Sequence, residues 1–216
     1  MLRETNPLVE LSNKTEISKA SVSDDDASLV SSAQNGDLTA FELLVNRHQK
    51  RMLNIAFRLI GDNDEACEVV QDAFVSAYKN IKKFRGQSKF TTWLTTITLN
   101  FSKNRLKQMK LRQNRIAFSL NDTIRTEDGE MAFDPPAKEP SVLDRLVERD
   151  LQNHVQECFK KLDGAFREVL VLRDMHDFSY KEIGRMLKMR EGTVKSRLFR
   201  ARDMVKDCLK LTTGDL

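Results

Sequence analysis

The chain has 216 residues, enough for one large hydrophobic core or two modest ones, and its 8 Gly and 4 Pro among abundant Leu, Lys, Arg and Glu favour helices. A formal net charge of +4 is too small to argue for nucleic acid by amount, so that argument rests on where the 36 basic and 32 acidic residues lie. No apolar run reaches the length of a membrane span and no signal pattern opens the chain. Cys67, Cys158 and Cys208 lack a CxxC pair or zinc-spaced histidines, so they read as reduced packing thiols in a cytoplasmic protein with no metal site.

Residues 1–26 are rich in Ser, Asn, Thr and acidic side chains, end in Asp24, Asp25 and Asp26, and predict a disordered leader. A short helix is predicted from about Ala27 to Gln34, stopping at Asn35-Gly36. A longer one runs from Thr39 to Ile60, with Phe41, Leu44, Val45 and His48 on one stripe and Gly61-Asp62-Asn63 as its end. His48 reads as a partly buried member of that stripe rather than a ligand. The next helix, Asp64 to about Lys83, buries Ala66, Val69, Val70, Ala73, Phe74, Ala77, Tyr78 and Ile81. Its other side exposes Glu65, Glu68, Gln71 and Asp72, an acidic face suited to a basic protein partner, although a solvated face is the commoner cause of such a pattern.

From Ala73 to Asn121 there is no Asp or Glu, while Lys79, Lys82, Lys83, Arg85, Lys89, Lys103, Arg105, Lys107, Lys110, Arg112 and Arg115 all fall there. Phe90, Trp93, Leu94, Ile97 and Phe101 keep a helical period through the segment, and Thr91, Thr92, Thr95, Thr96, Asn100 and Ser102 add small polar groups. Cations for a backbone, aromatics for stacking and small hydrogen-bonding groups for exposed bases are what single-stranded DNA needs. The plainer reading makes Phe90, Trp93 and Phe101 core; most of the aromatic stripe is expected to be core, with the Thr, Asn and Lys positions making contact.

The charge then inverts: Asp122, Glu127, Asp128, Glu130, Asp134 and Glu139 surround Pro135, Pro136 and Pro140, which predicts a flexible linker over residues 117–140 between domains 27–116 and 141–210. A helix is expected over Ser141–Phe159 and another from about Ala165 to Asp174. Ser179 and Glu182 then have capping-box spacing, so a helix carrying Ile183 and Leu187 should begin there, break at Lys188–Glu191 and restart at Gly192. In the last helix Val194, Leu198, Ala201 and Val205 form a buried side, while Lys195, Ser196, Arg197, Arg200 and Arg202 line another. This is a helix-turn-helix whose second helix fits a DNA major groove; an ordinary helical hairpin with a solvated basic face is the alternative.

The order of EVVQDAF at 68–74, FRGQSKFTTWL at 84–94, Asn100 with its basic tail, the acidic linker, SYKEIGRML and EGTVKSRLFRAR resembles a bacterial extracytoplasmic-function sigma factor of the sigma-70 family, nearest the sigma-E-like branch. The resemblance covers roughly residues 27–209 and joins two signatures in order. It implies an all-α protein of two small helical domains. Glu68, Gln71, Asp72, Phe74 and Tyr78 would bind core RNA polymerase. Lys89, Trp93, Thr96, Asn100, Lys103, Arg105 and Lys107 would bind single-stranded promoter DNA at minus-ten, and Thr193, Lys195, Ser196, Arg197 and Arg200 duplex DNA at minus-thirty-five. An anti-sigma factor, often membrane-anchored in that family, is an implied inhibitor. Thr95-Thr96 stands where many members have Tyr-Arg, Asn104 where they often have Asp, and Met189 and Arg190 replace smaller turn residues. No cofactor, catalytic group or small-molecule substrate is expected, and the lone protein is expected to be indifferent to oxidant and zinc. The competing function is a two-domain helix-turn-helix regulator that binds duplex DNA without polymerase.

Overall fold

The computed structural model describes residues 25–119 and 154–213, with side chains at 26–113 and 154–211, and every regular element among them is helical. The predicted leader up to residue 24, the predicted linker from residue 120 on and the first part of the helix predicted at Ser141 lie outside the described residues, whereas residues 117–119, predicted as the start of the linker, are the end of a helix.

Helix α1, Asp25–Gln34, leads into α2, Leu38–Ile60, which Asp37 caps by accepting the Ala40 N–H at 3.2 Å. Gly61, at φ +84°, closes α2 with its N–H on the Phe57 carbonyl, a left-handed position that glycine adopts without strain. Asp62 then caps α3, Asn63–Asn80, through the Glu65 N–H at 2.9 Å, and a 3₁₀ turn over Ile81–Lys83 reaches α4, Phe90–Ser119. Leu44, Met52, Ile55, Val69, Ala77, Leu94 and Leu99 interdigitate as the core of this first domain.

The second domain comprises a helix over 154–161, here α5, then α6, Gly164–Leu170, which widens into a π turn over Val171–Met175. It continues with α7, Tyr180–Leu187, and α8, Glu191–Thr213. The predicted capping box is present, with Ser179 and Glu182 satisfying each other's backbone N–H groups. Ile183, Val194, Leu198, Ala201 and Val205 pack on Val169–Leu172. A side chain at Gly184 would stand 2.8 Å from the Met189 carbonyl oxygen, so the glycine admits the turn backbone rather than the second helix.

The two domains touch. Arg51 of α2 donates to the His176 carbonyl at 2.6 Å and lies 4.8 Å over the Phe178 ring. Arg58 donates to Gln156 at 2.9 Å, and Arg167 spans the seam with one donor on the Leu59 carbonyl at 2.6 Å and another on the Lys160 carbonyl at 2.7 Å. At the start of α4 the Thr92 hydroxyl donates to Glu182 at 3.1 Å. The seam is therefore polar and rich in guanidinium groups, and the buried Nε atoms of Arg51, Arg58 and Arg167 find no acceptor.

Three expectations are corrected. Cys158 of α5 and Cys208 of α8 form a disulfide with Cα atoms 5.8 Å apart, so only Cys67, which is exposed, remains a free thiol. The chain brings the pair together through helix packing across 50 positions, a distance that spacing alone does not reveal. Asp25 and Asp26 belong to α1 rather than to a leader; Asp26 pairs with Arg47 at 2.7 Å and with the buried His48 at 2.9 Å. Thr91, Thr92 and Thr95, expected among the contacting groups, are buried, with Thr95 facing the Met52 sulfur at 3.9 Å, and the nearby Ser102 hydroxyl is buried on the Thr98 carbonyl.

Candidate nucleic-acid interface

The site is built from three helix faces. Burial of Val194, Leu198, Ala201 and Val205 fixes the roll of α8 and turns its N-terminal half outward. Thr193, Ser196, Arg197 and Arg200 meet there around a cleft of about 360 Å³, whose far wall is Asp163, Ala165 and Phe166. Ser196 donates back to the Thr193 carbonyl at 3.1 Å, which orients its hydroxyl along the helix. Lys195 lies off this cleft, its ammonium 5.5 Å over the Tyr180 ring. Arg202 is withdrawn from the cationic face: two of its nitrogens hold Asp174 at 2.9 and 2.5 Å, and that carboxylate raises its already high pKa.

On α4, Trp93, Thr96, Asn100, Lys103 and Lys107 are spaced three and four residues apart and form one stripe, with Lys89 just ahead of the helix. Trp93 is partly buried, its ring 5.1 Å from Phe84 and 5.7 Å from Phe90, so the aromatic stripe is largely core as expected. Thr96 is half-buried and donates to the Thr92 carbonyl at 2.8 Å. Lys89, Asn100 and Lys107 are exposed, while Lys103, also exposed, pairs with Glu168 of the second domain at 2.9 Å. Arg105 stands apart from the stripe, its guanidinium gripped by Glu65 and Glu68 of α3.

On α3, Gln71 and Asp72 are exposed beside Val75 and Tyr78, the last at 43% exposure with its ring 5.0 Å from Phe41. Phe74 is only 8% exposed and supports this face from beneath.

The sequence reading missed the seam residues Arg51, Arg58, Arg167 and His176. Arg51 and Arg58, seven apart on α2, share a face between apolar neighbours, and that spacing was the available signal. Burial, and then the charges of Arg51 and Arg58, push the His176 pKa down to about 3, so the ring is neutral in the packed chain. Burial acts to raise the Glu182 pKa, but hydrogen bonds from Ser179 and Thr92 bring it below its ordinary value and keep the capping carboxylate charged. Among the described residues no His, Cys, Asp and Glu cluster has the arrangement of a metal site, and no helix is long and apolar enough to cross a membrane.

Residues 44–112 match the Sigma-70 region 2 family, and residues 153–205 match the Sigma-70, region 4 family. The RNA polymerase sigma-H factor of Pseudomonas aeruginosa is 34% identical over 187 residues, 86% of this chain and 94% of that protein. The ECF RNA polymerase sigma-E factor of Escherichia coli K12 is 36% identical over 182 residues, 83% of this chain and 92% of that protein. Among solved structures, the sigma factor RpoE of Bartonella quintana in complex with the anti-sigma factor NepR is similar at TM-score 0.60 and 26% identity, over 80% of this chain and 98% of that one. CnrH in complex with the cytosolic domain of CnrY shares the fold at TM-score 0.62 and 24% identity, over 87% of this chain and 99% of that one.

Proposed function

This chain belongs to the sigma-70 family, in its extracytoplasmic-function branch, and from that premise we propose how its three helix faces divide the work of an RNA polymerase sigma factor. The α3 face of Glu68, Gln71, Asp72 and Tyr78 docks on core polymerase, with Phe74 holding it in shape from below. The α4 stripe of Trp93, Thr96, Asn100, Lys103 and Lys107, led by Lys89, takes the separated strand at minus-ten. The α8 cluster of Thr193, Ser196, Arg197 and Arg200, flanked by Lys195, reads the minus-thirty-five duplex.

The observation that carries this division is the α4 stripe itself. Five candidate positions separated widely by residue type fall in one line on a single helix, whereas the same composition scattered around the helix would favour a plain solvated surface. The mechanism is binding without a covalent step. Unstacking and unpairing a base costs a few kcal/mol, which contacts to the extruded base offset, while the polymerase supplies the catalytic metal. An anti-sigma partner of the kind found with the Bartonella relative would inhibit by covering the α3 or α8 face, with the chain held in the cytoplasm or against the inner membrane.

The test mixes the purified chain with core polymerase and a promoter fragment. Stable ternary complex and transcription support the assignment; tight duplex binding by the lone chain, indifferent to polymerase, supports the duplex-binding regulator instead. Within this test Asp72→Lys is expected to abolish core binding while leaving helicity and thermal midpoint unchanged, because Asp72 is exposed and α3 packs through its opposite side. Parental polymerase affinity in that folded variant would remove Asp72 from the docking face.

A further inference from the structure

We propose that Arg105 is a positioning residue that fixes the minus-ten helix against the polymerase-facing helix, and that it makes no promoter contact. The inference rests on the sigma-factor reading and deepens it, because it changes what one of the basic residues of α4 does.

Three observations converge. First, the stripe on α4 runs through Trp93, Thr96, Asn100, Lys103 and Lys107, and Arg105 lies about 200° around the helix from Lys103, on the side that faces α3. Second, the Arg105 side chain is only 15% exposed, and its Nη1 donates to both Glu65 and Glu68, the latter at 2.7 Å. These carboxylates are three residues apart, so one guanidinium grips a full turn of α3. Third, the grip starts in the first turn of α3, at Glu65, whose N–H Asp62 already accepts and where carboxylates are favoured by the unpaired N–H groups of a helix start, and it reaches on to Glu68 in the second turn. Arg112, one further helical repeat along α4, also reaches Glu65 at 3.8 Å.

The chemistry suits Arg in particular. A guanidinium is planar, keeps its charge and presents several donors in fixed directions, so it can satisfy two carboxylates at once; an ammonium behaves as a point charge. Glu68 and Glu65 raise the Arg105 pKa further. Glu68 is itself a candidate polymerase contact and is 63% exposed. The clasp thus joins the docking face directly to the strand-binding helix and, on top of the apolar packing between α3 and α4, trims the angle at which the two surfaces are presented. With the clasp gone, the chain should still dock on polymerase and still attract DNA, but it should present the stripe at the wrong angle to capture an unpaired base.

The experiment uses the full chain bound to core polymerase and compares Arg105→Gln, Arg105→Lys, Glu65→Gln and Lys107→Gln. Two quantities are read on one promoter fragment: the slope of log affinity against log salt, and strand opening from permanganate reactivity of minus-ten thymines. Lys107→Gln should lower the slope by about one, the signature of a lost phosphate contact. Arg105→Gln should keep the parental slope and core affinity yet reduce opening several-fold, Glu65→Gln should reduce opening in the same direction, and adding it to Arg105→Gln should change nothing further. Arg105→Lys should restore part of the opening. A slope reduced by about one in Arg105→Gln would make it a phosphate ligand, and unchanged opening would make the clasp an inert surface pair; either overturns the proposal. A parental chain that fails to bind core polymerase overturns the sigma-factor reading itself, whereas the former outcomes in an active parent overturn only the role of Arg105.

Discussion

At Gly184 a methyl group would meet the Met189 carbonyl oxygen at 2.8 Å, and a backbone atom in a tight turn cannot step aside as a flexible side chain could. Gly184→Ala is therefore expected to destabilise the second domain by about 1–3 kcal/mol, read as a lowered midpoint in thermal unfolding, with α1–α4 unaffected. At the neighbouring face proposed to read DNA the residues separate by chemistry. Arg200 is exposed at the cleft where a base edge would enter, so Arg200→Ala should cost about 1–3 kcal/mol and relax base preference at one promoter position. Lys195 stands aside over Tyr180, so Lys195→Ala should weaken all sequences alike and flatten the salt dependence. Binding assays on a promoter and a scrambled duplex distinguish the two; equal, sequence-blind losses would contradict the assignment. The capping box was readable from sequence because its two residues are three apart and need only each other. The fates of Arg105 and Arg202 were not, since each depends on carboxylates between 28 and 40 positions away.

Among the elements, α2 was legible in length and face because its periodicity is strong, and the helix-turn-helix because its caps and its apolar spacing agree, whereas α4 was legible only as the stripe from Phe90 to Phe101 and not in its length. What periodicity could not show was that α2 is buried on two sides, with Arg51 and Arg58 under the second domain, because its apolar stripe is already satisfied within the first domain by α1, α3 and α4. That seam has a pH dependence with a definite sign. Burial and the charges of Arg51 and Arg58 hold His176 at a pKa of about 3, against the ordinary 6.5, while Asp177 and Glu182 are the nearby carboxylates acting on Arg51. The packed seam therefore binds fewer protons than the parted one. Its stability is fully present above about pH 6.5 and weakens as pH falls below, by about tenfold, or about 1.4 kcal/mol, at pH 5.5. Hydrogen exchange of the backbone around 171–178 should accelerate between pH 7 and 5.5 beyond the intrinsic change, and His176→Gln should abolish the excess. An excess that survives in His176→Gln would place its origin elsewhere.

For the molecule as a whole, net charge said little and the placement of charge a great deal. The acid-free run from Ala73 to Asn121 supplies α4 with cations, but the carboxylates that meet Lys103 and Arg105 come from helices outside that run, Glu168 behind it and Glu65 and Glu68 ahead of it. A basic segment in the sequence is thus partly neutralised by the fold, and the stripe left open is narrower than the run suggests. In the proposed promoter complex Lys103 has to leave Glu168 to meet a phosphate, so strand binding by α4 would compete with contact between the domains for the same ammonium.

The bond between Cys158 and Cys208 acts on the chain when it is not folded at all. It closes a loop spanning 50 positions, which in the chain-entropy picture removes enough freedom from the denatured ensemble to favour the native second domain by roughly 4 kcal/mol at 25 °C. A domain this small converts that into a midpoint shift on the order of 15–30 °C. Calorimetry with and without dithiothreitol should show the shift in the parental chain and none in Cys208→Ser, with DNA affinity at 25 °C unchanged because Thr193–Arg200 lie two turns or more before the bond. An unshifted midpoint on reduction would show that the pair contributes only as packed sulfur. With the shift, the heat tolerance of the second domain becomes a record of the thiol balance around it, and proteases, which cut unfolded chains, would be the first to read it.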